Sequence, residues 1–447
     1  MVVGLPLYPD MKRPCRTLTS HKVPIRERQG QDGTKRTDEQ TRRVLIVVPG
    51  PFPDGNAVGR ATYMMAKGLE AHGQQVRVCA RWGSAEGSLD VESKIVLATF
   101  GRFDQSYRTK MPYLSWLTSA LGFGAYALFQ VTVGDYDCII LYGVSPLFLP
   151  AAIVACLLGR RVAFVQYDLY RPSGLDGTWK HRLTWFYAFT ERFLARSSRM
   201  MVLSESQLLI KRFGELAPKV PMFPNWPPTD ADFFFAGDPT AGRRVCNVPA
   251  HIPLVMYVGT ISRLEGVDLL IEAMREVVSA MPEATLVIAG REGGDVFPGR
   301  APDYSSLPAV HGVAGSVRFL GVAGRNVVRD LLAAADCLVM AKREHEGNAA
   351  ASPIKLGEYL TSGRPVVTTR VCGIEGWLTD GRDVVFCRPG DPADLAAALL
   401  RVLRDKAGAA RIGQAGQVAG RRHCDFRQWG ASFLQAWAAS RSRSPGK

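Results

Sequence analysis

The sequence predicts an α/β protein of two doubly wound halves that face one another across a cleft. Three observations carry this. The apolar run Arg43-Val-Leu-Ile-Val-Val48 is followed by a Gly/Pro-rich loop, a helically spaced segment and a second apolar run, the β-loop-α-β order of a Rossmann-like unit. The same plan restarts at Pro253, roughly 200 residues on, about the offset that one domain of this class would give. Short apolar runs then alternate with helical segments to the end of the chain, as in a parallel sheet with crossover helices.

The elements follow in order. Arg43 to Val48 is uniformly apolar after its first residue, as expected for a strand covered on both faces. Pro49 to Gly59 is a loop, Arg60 to His72 a helix with Met64, Met65, Ala66 and Leu69 on its apolar side, and Gln75 to Ala80 the next strand. Two uncharged runs, Met111 to Gly134 and Cys138 to Gly159, are each about long enough to span a bilayer. The first is diluted by polar residues and glycines and reads as a buried helix. The second holds Pro146 and Pro150, and divides into a strand (Cys138 to Tyr142), a loop and a helix (Pro150 to Leu158). Phe223 to Asp230 is rich in breakers and marks the passage between halves. In the second half, Leu254 to Val258, Ala284 to Ala289, Val317 to Leu320, Cys337 to Met340, Pro365 to Thr369 and Val384 to Cys387 are strands; Gly266 to Ala280, Ile354 to Thr361, Asp391 to Arg404 and Gly430 to Ala438 are helices. The expected division is a basic disordered tail (1–41), an N-terminal domain (42–226), a linker (227–245), a C-terminal domain (246–425), a closing helix packing back on the N-terminal domain (426–439) and a second basic tail (440–447).

Charge is concentrated at the ends. The 447 residues carry a net +14, yet residues 1 to 43 hold ten Lys/Arg against five Asp/Glu, and Arg441, Arg443 and Lys447 close the chain. The body is therefore only mildly basic, and without a nucleic-acid-binding signature a nucleic-acid partner is not expected. Nine cysteines form no CxxC pair and no spaced Cys/His set, which reads as free thiols in a reducing compartment and argues against structural zinc. The first 40 residues have no apolar core of signal-peptide length. A cytoplasmic protein is expected, with possible peripheral contact at the inner face of the membrane. The segment Lys180 to Arg196 mixes five aromatics with basic residues on one helix, a composition that suits an anionic lipid surface as well as a packed helix with a basic outer face.

Two facing parallel sheets place their ligand site at the cleft. The loop Gly55-Asn-Ala-Val-Gly59 at a helix start would let a phosphate or sugar approach the backbone. It is not GxGxxG, and no GK[ST] loop occurs, so nicotinamide and P-loop readings are weak. Glu344 to Val367 is more informative. A loop of small residues enters a helix near Ile354, where free N–H groups and the positive dipole end suit a diphosphate. Lys355 lies in the first turn, against the dipole, which an anionic partner would explain. Glu358 lies one turn on, where a carboxylate can accept from two ribose hydroxyls.

Ser352-Pro-Ile-Lys-Leu-Gly-Glu-Tyr-Leu-Thr-Ser-Gly-Arg-Pro-Val-Val367 closely resembles the nucleotide-sugar signature of the family-four retaining glycosyltransferases, which have the GT-B fold. The first strand with Gly59-Arg60, the segment Phe164 to Gly174, Val202 to Ser206, Asn225-Trp226, Tyr257 to Thr260, Gly266 to Ala273, Val317 to Gly321 and Ala335-Asp336 look like the same family in the same order. The resemblance implies a nucleotide-sugar donor, UDP- or GDP-linked, held by the C-terminal domain, a saccharide or lipid-linked acceptor held by the N-terminal domain, and transfer with retention, without a metal or other cofactor. Carried over by position, Glu358 would hold the ribose, Ser352, Pro353 and Lys355 would lie near the phosphates, Gly259 would open the donor loop with Thr260 beside it, and Arg291 would approach base or ribose. Asn56, Gly59 and Arg60 would line the acceptor side. Asp168, at a strand end, is the candidate for contacting the acceptor or activating its hydroxyl; the His that precedes it in the family is absent. The family's first acidic residue corresponds to Ala350, its Arg after Tyr-Val-Gly to Thr260, and its Lys before Gly-Val-Asp to Glu265. Arg263 and Lys355 are candidates to replace the lost cations. These departures keep two alternatives in view: a GT-B epimerase or phosphorylase, and a non-catalytic nucleotide-sugar-binding assembly protein. A bacterial envelope polysaccharide or glycoconjugate role is the expected setting.

Overall fold

The structure is a computed structural model that describes residues 42–53, 57–84, 96–99, 102–103, 113–169, 178–293, 297 and 301–442. The basic tail at 1–41, residues 443–447, Asn56 and part of the Phe164 to Gly174 segment lie outside them.

The first half alternates strands and helices: β1 (Arg43–Phe52), α1 (Ala57–Ala71), β2 (Gln75–Ser84), β3 (Val96–Thr99), β4 (Arg102–Phe103), α2 (Tyr113–Val133), β5 (Cys138–Tyr142), α3 (Leu149–Leu157), β6 (Val162–Gln166), α4 (Thr178–Ser197), β7 (Met200–Ser204), α5 (Gln207–Leu216) and β8 (Met222–Asn225). These strands form one sheet in the order β3-β2-β1-β5-β6-β7-β8, with β4 also on β2, and every pairing is parallel. Strands covered on both faces need no polar alternation. Val44 to Val48, Cys138 to Tyr142 and Val162 to Gln166 are accordingly buried throughout.

The second half contributes α6 (Ala231–Phe235), α7 (Pro239–Cys246), β9 (Leu254–Val258), α8 (Val267–Ala280), β10 (Thr285–Ala289), α9 (Leu307–Val310), β11 (Val317–Gly321), α10 (Arg325–Ala334), β12 (Cys337–Met340), α11 (Glu346–Ala350), α12 (Ile354–Thr361), β13 (Val366–Thr369), β14 (Val385–Cys387), α13 (Pro392–Arg404) and α14 (Lys406–Cys424). Its sheet runs β11-β10-β9-β12-β13-β14, again all parallel. Both sheets have a switch point, β1 against β5 and β9 against β12, where consecutive crossovers leave in opposite directions. Loops at the carboxyl ends of those strands open a crevice suited to ligands.

Several boundaries differ from the sequence reading. β1 runs on through Pro49 and Pro51 to Phe52, with a register shift between Val48 and Pro51, after which Pro51 pairs with Trp82. α1 begins at Ala57 rather than Arg60. The run Cys138 to Gly159 divides into β5, a turn and α3, and among the described residues no helix is long and apolar enough to cross a membrane. Residues 227–245, read as a linker, carry α6 and α7, which pack against α10. The eight described cysteines are all free, and burial pushes the Cys246 thiol up to about 11.

The last helix, α15 (Phe426–Ser442), returns to the first half and lies across α1. The backbones meet where both helices have glycine: a Cβ on Gly430 would sit 2.2 Å from the Gly68 carbonyl oxygen, and one on Gly68 would sit 2.3 Å from that of Phe426. Trp429, Phe433 and Trp437 stack along the inner face of α15 and join the core beneath α1. The two chain passages between the halves run side by side. Thr229 N–H donates to the Cys424 carbonyl at 2.7 Å, and Phe426 N–H to the Thr229 carbonyl at 2.9 Å.

Candidate functional site

The loops after β9 and β12 and the start of α12 converge on one charged cluster. Lys355, in the first turn of α12, donates to Glu265 Oε2 at 2.7 Å and to the Tyr257 hydroxyl at 3.0 Å. The Tyr257 hydroxyl in turn donates to the Thr260 carbonyl at 2.5 Å, which fixes the loop following Gly259. A side chain at Gly259 would collide with Lys355, whose Nζ lies 2.4 Å from the Cβ position. The other carboxylate oxygen, Glu265 Oε1, accepts from Lys342 Nζ at 2.6 Å, and Lys342 also donates to Asn348 Oδ1 at 3.0 Å. Asn348 is held in turn by bonds from its Nδ2 to the Leu264 and Arg343 carbonyls. Burial alone would raise the Glu265 carboxyl; the two ammonium groups, by charge and hydrogen bonds together, outweigh it and hold Glu265 at about 2. The anionic partner that Lys355 calls for is thus supplied by the chain itself.

At the start of α12, Pro353 stands in the cap position without a side-chain cap. The Ser352 hydroxyl is buried and, among the described residues, without a hydrogen-bond partner, while its N–H donates across the cleft to the Tyr167 carbonyl at 3.0 Å. Glu358 is 7% exposed, and its Oε1 faces Arg60 Nε of α1 at 3.7 Å. Among the described residues that nitrogen has no hydrogen-bond partner. The structure therefore brings together Glu358, read as a donor residue, and Arg60, read as an acceptor-side one; Gly59, buried, directly precedes Arg60. Where the resemblance puts an acidic residue, the Ala350 carbonyl instead accepts from Ser204 Oγ at 2.9 Å, and the Ala349 carbonyl from Ser206 Oγ at 2.5 Å. These bonds link α11 to the end of β7.

Arg263 and Arg291 stand apart from the lysine cluster in role. Arg263 donates to the Phe297 carbonyl at 3.0 Å and lies over the Phe297 ring. Arg291 uses its carbonyl to accept from Ile261 N–H at 2.8 Å, tying the loop after β10 to the loop after β9. Asp168 follows β6 and is exposed at its end. Desolvation by the surrounding protein raises its carboxyl above the ordinary range, and Lys342 opposes the shift, so the two groups feel each other's charge. Sequence reasoning missed Lys342. It directly follows the apolar run through Ala341, and a cation at the end of a buried strand was the available signal. Glu205 lies just after β7, within the Val202 to Ser206 segment. Among the described residues no hydrogen bond or ion pair holds its carboxylate, and burial pushes it up to about 7.

Comparison with known proteins places this arrangement. Residues 252–405 match the family described as glycosyl transferases group 1, and residues 56–226 the glycosyl transferase 4-like domain. The chain is a group-1 glycosyltransferase of the GT-B fold. This glycosyltransferase is 29% identical over 220 residues to D-inositol 3-phosphate glycosyltransferase of Geodermatophilus obscurus, a match covering 48% of this chain and 47% of that one. It is 31% identical over 152 residues to lipopolysaccharide glucosyltransferase WaaG of Escherichia coli, covering 34% and 37%. The chain thus spans about half the length of the first relative and less of the second. Among solved structures, Anabaena HepE in complex with UDP and glucose superposes with a TM-score of 0.64 at 16% identity, over 89% of this chain and 100% of that one. That likeness is one of fold.

The Glu205 environment sets a pH dependence of stability. Its folded-state carboxyl is raised to about 7 from an ordinary 4.5, so the folded state holds an extra proton between those values. Stability on this account is full below about 4.5 and is lost as pH rises through about 7. Glu205→Gln should therefore raise the thermal midpoint at pH 8 and leave it near wild type at pH 4.5. A difference of equal size at both pH values would show that Glu205 does not titrate in this window.

Proposed function

We propose that this glycosyltransferase moves a sugar from a UDP- or GDP-linked donor to a saccharide or lipid-linked acceptor, with retention at the anomeric carbon and without a metal. The observation that carries the reading is the start of α12. An uncapped helix end, an unpartnered Ser352 hydroxyl and the Lys355 ammonium stand together below Gly259, one turn before a buried Glu358. Departure of a nucleoside diphosphate leaves negative charge on its oxygens, and fixed donors beside that charge lower the barrier. Lys355, the Ser352 hydroxyl and the α12 N–H groups are such donors, with Gly259 and Pro353 leaving room for close approach. Glu358 would accept from the ribose hydroxyls once Arg60, now 3.7 Å away, exchanges partner. Arg263, Arg291 and Thr260 would border base and ribose, with Asn56, Gly59 and Arg60 on the acceptor side.

The names of the relatives, an inositol-phosphate glycosyltransferase and a lipopolysaccharide glucosyltransferase, support a bacterial glycoconjugate setting. The non-catalytic reading rested on missing cations. It loses ground because Glu265, standing where a lysine was expected, is surrounded by two lysines. A thermal-shift screen across UDP-, GDP- and ADP-sugars tests the donor class: the true donor at a hundred times its Kd should add about 2.7 kcal/mol of stability. If none of the three classes shifts the midpoint, the reading fails. Free epimer or sugar phosphate in place of transferred sugar would instead identify an epimerase or phosphorylase.

Asp168 is the proposed contact for the acceptor hydroxyl. Asp168→Asn should lower kcat by about 10²- to 10⁴-fold, the range for a lost general base, while donor KM stays near wild type. Unchanged kcat would remove Asp168 from the chemistry.

Peripheral membrane contact is proposed through the outer face of α2, α3 and α4. These helices cover one face of the first sheet as a single layer. α2 and α3 contain no charged residue. Nine of the fifteen exposed large hydrophobic side chains among the described residues lie on them or just beyond α3, including Leu157 at 80% and Trp185 at 64% exposure. On α4, Trp185, Phe189, Arg192 and Arg196 fall on one helical stripe, pairing apolar insertion with cations that complement anionic lipid. The protein should sediment with phosphatidylglycerol vesicles more than with phosphatidylcholine ones, and Trp185→Ser with Leu157→Ser should abolish the difference. Equal sedimentation with both lipids, or a concentration-dependent dimer lost in the same variant, would make this face something other than a membrane contact.

A further inference from the structure

Lys342 is the most deeply buried cation of the site. It is 3% exposed, and a buried ammonium group is costly unless fully paired. It stands two residues after β12, at the switch point of the second sheet. Glu265 stands at the same edge, in the loop after β9. One carboxylate serves two lysines, Lys342 through Oε1 and Lys355 through Oε2, so the triad carries a surplus positive charge. A purely structural pair would need one lysine and would bury less charge. Each ammonium group has three N–H donors. Among the described residues Lys342 uses two, on Glu265 and Asn348, and Lys355 uses two, on Glu265 and Tyr257. One donor on each remains. An independent feature points to the same ligand: the Ser352 hydroxyl at the start of α12, 6% exposed and without a partner.

We propose that Lys342 is a second contact to the donor diphosphate, and that Glu265 is the positioning residue that holds Lys342 and Lys355 side by side for it. The reversed charge at position 265 then does not remove the cation from the site. It moves the cation from residue 265 to residue 342 and locks it, and the diphosphate takes the surplus charge of the triad through the two unused donors. This deepens the glycosyl-transfer reading and depends on it.

Calorimetric titration of the full chain tests the assignment. UDP, GDP and ADP are titrated into wild type, and the tightest is carried into the variants beside its parent nucleoside. Glu265→Gln combined with Lys342→Met keeps the net charge of the triad, with Lys355 as its one remaining charge. Its diphosphate Kd should rise by roughly 10- to 100-fold, the worth of a lost charge-assisted contact, with the nucleoside Kd unchanged. Lys342→Met alone, which leaves one Lys-Glu pair, carries the same expectation should the double variant fail to fold, and Lys342→Arg should restore most of the affinity. Diphosphate binding equal to wild type in the folded variant would overturn the role of Lys342, as would an equal loss for diphosphate and nucleoside. If wild type binds none of the three diphosphates, the glycosyl-transfer reading falls and this inference with it.

Discussion

The halves are joined by two chain passages, and those passages are bonded to each other. Thr229 gives its N–H to the Cys424 carbonyl and takes the Phe426 N–H on its own carbonyl. Outgoing and returning chain thus move as one ribbon, because neither can shift without exposing a buried backbone donor or acceptor. Directly beyond the ribbon, α15 presses onto α1 at Gly68 and Gly430, where the approach of the backbones excludes any Cβ. α1 is also the helix that carries Arg60, at its first turns, to the edge of the cleft. Its far end is clamped by the helix returning from the second half, so the distance between Arg60 and Glu358 follows from a backbone contact elsewhere on α1. The Tyr167 ring adds to this, since its hydroxyl donates to Asn225 and accepts from Trp429 while its carbonyl takes the Ser352 N–H. Residue 167 therefore touches the first sheet, the last helix and the start of α12 at once, one position before Asp168.

Within that frame the cleft is a problem in charge placement. A helix start, buried Lys342, half-buried Lys355 and Arg60 would repel one another across the site. Glu265 and Glu358 relieve this, the first by accepting from Lys342 and Lys355, the second by facing Arg60. The two carboxylates differ in how tightly they are held. Glu265 receives short bonds on both oxygens. Glu358 has a contact of 3.7 Å, beyond hydrogen-bond reach. The loosely held one is free to change partner when a ligand enters, and the tightly held one keeps the lysines in register. That ordering is why a carboxylate at position 265 is compatible with an anion site, although by charge alone it looks like a loss.

β1, β2 and β5 of the first sheet and the strands of the second were legible in the sequence because parallel strands covered on both faces must be apolar throughout, and Val44 to Val48, Leu254 to Tyr257 and Cys337 to Met340 are; β3, β4, β7 and β8 were not. α12 was legible for a different reason: its small-residue approach, Lys355 and Glu358 make a pattern that a solvated helix has no need of. What stayed hidden depends on contacts remote in sequence. β1 extends past Pro49 because Pro51 finds Trp82 on β2 after a register shift, which no local rule announces. The Phe223 to Asp230 breakers mark a real passage, yet the residues after them fold into α6 and α7 because α10 offers a packing surface. Lys342 showed only as a cation at a strand end, since its partner lies 77 residues away, in a glutamate that the sequence presented as a missing lysine.

The first sheet shows how one layer can serve two purposes. Each of its faces is fully covered, but by different means. On one face α1 and α15 interlock through glycine and stacked aromatics, and the resulting surface is turned inward on the chain's own last helix. On the other, α2 to α5 cover the strands with small and apolar residues, Phe123, Ala127, Ala151 and Ala155 among them, while continuing to place Leu, Phe and Trp on the side away from the sheet. Burying the sheet requires only the inner stripe of each helix. The outer stripe is therefore free of any folding requirement, and uncharged helices at α2 and α3 give up the solubility that charged outer positions would supply. A sequence under no demand other than packing would place lysine and glutamate there. Their absence, next to Arg192 and Arg196 on α4, is what sets this face apart from the remainder of the described surface.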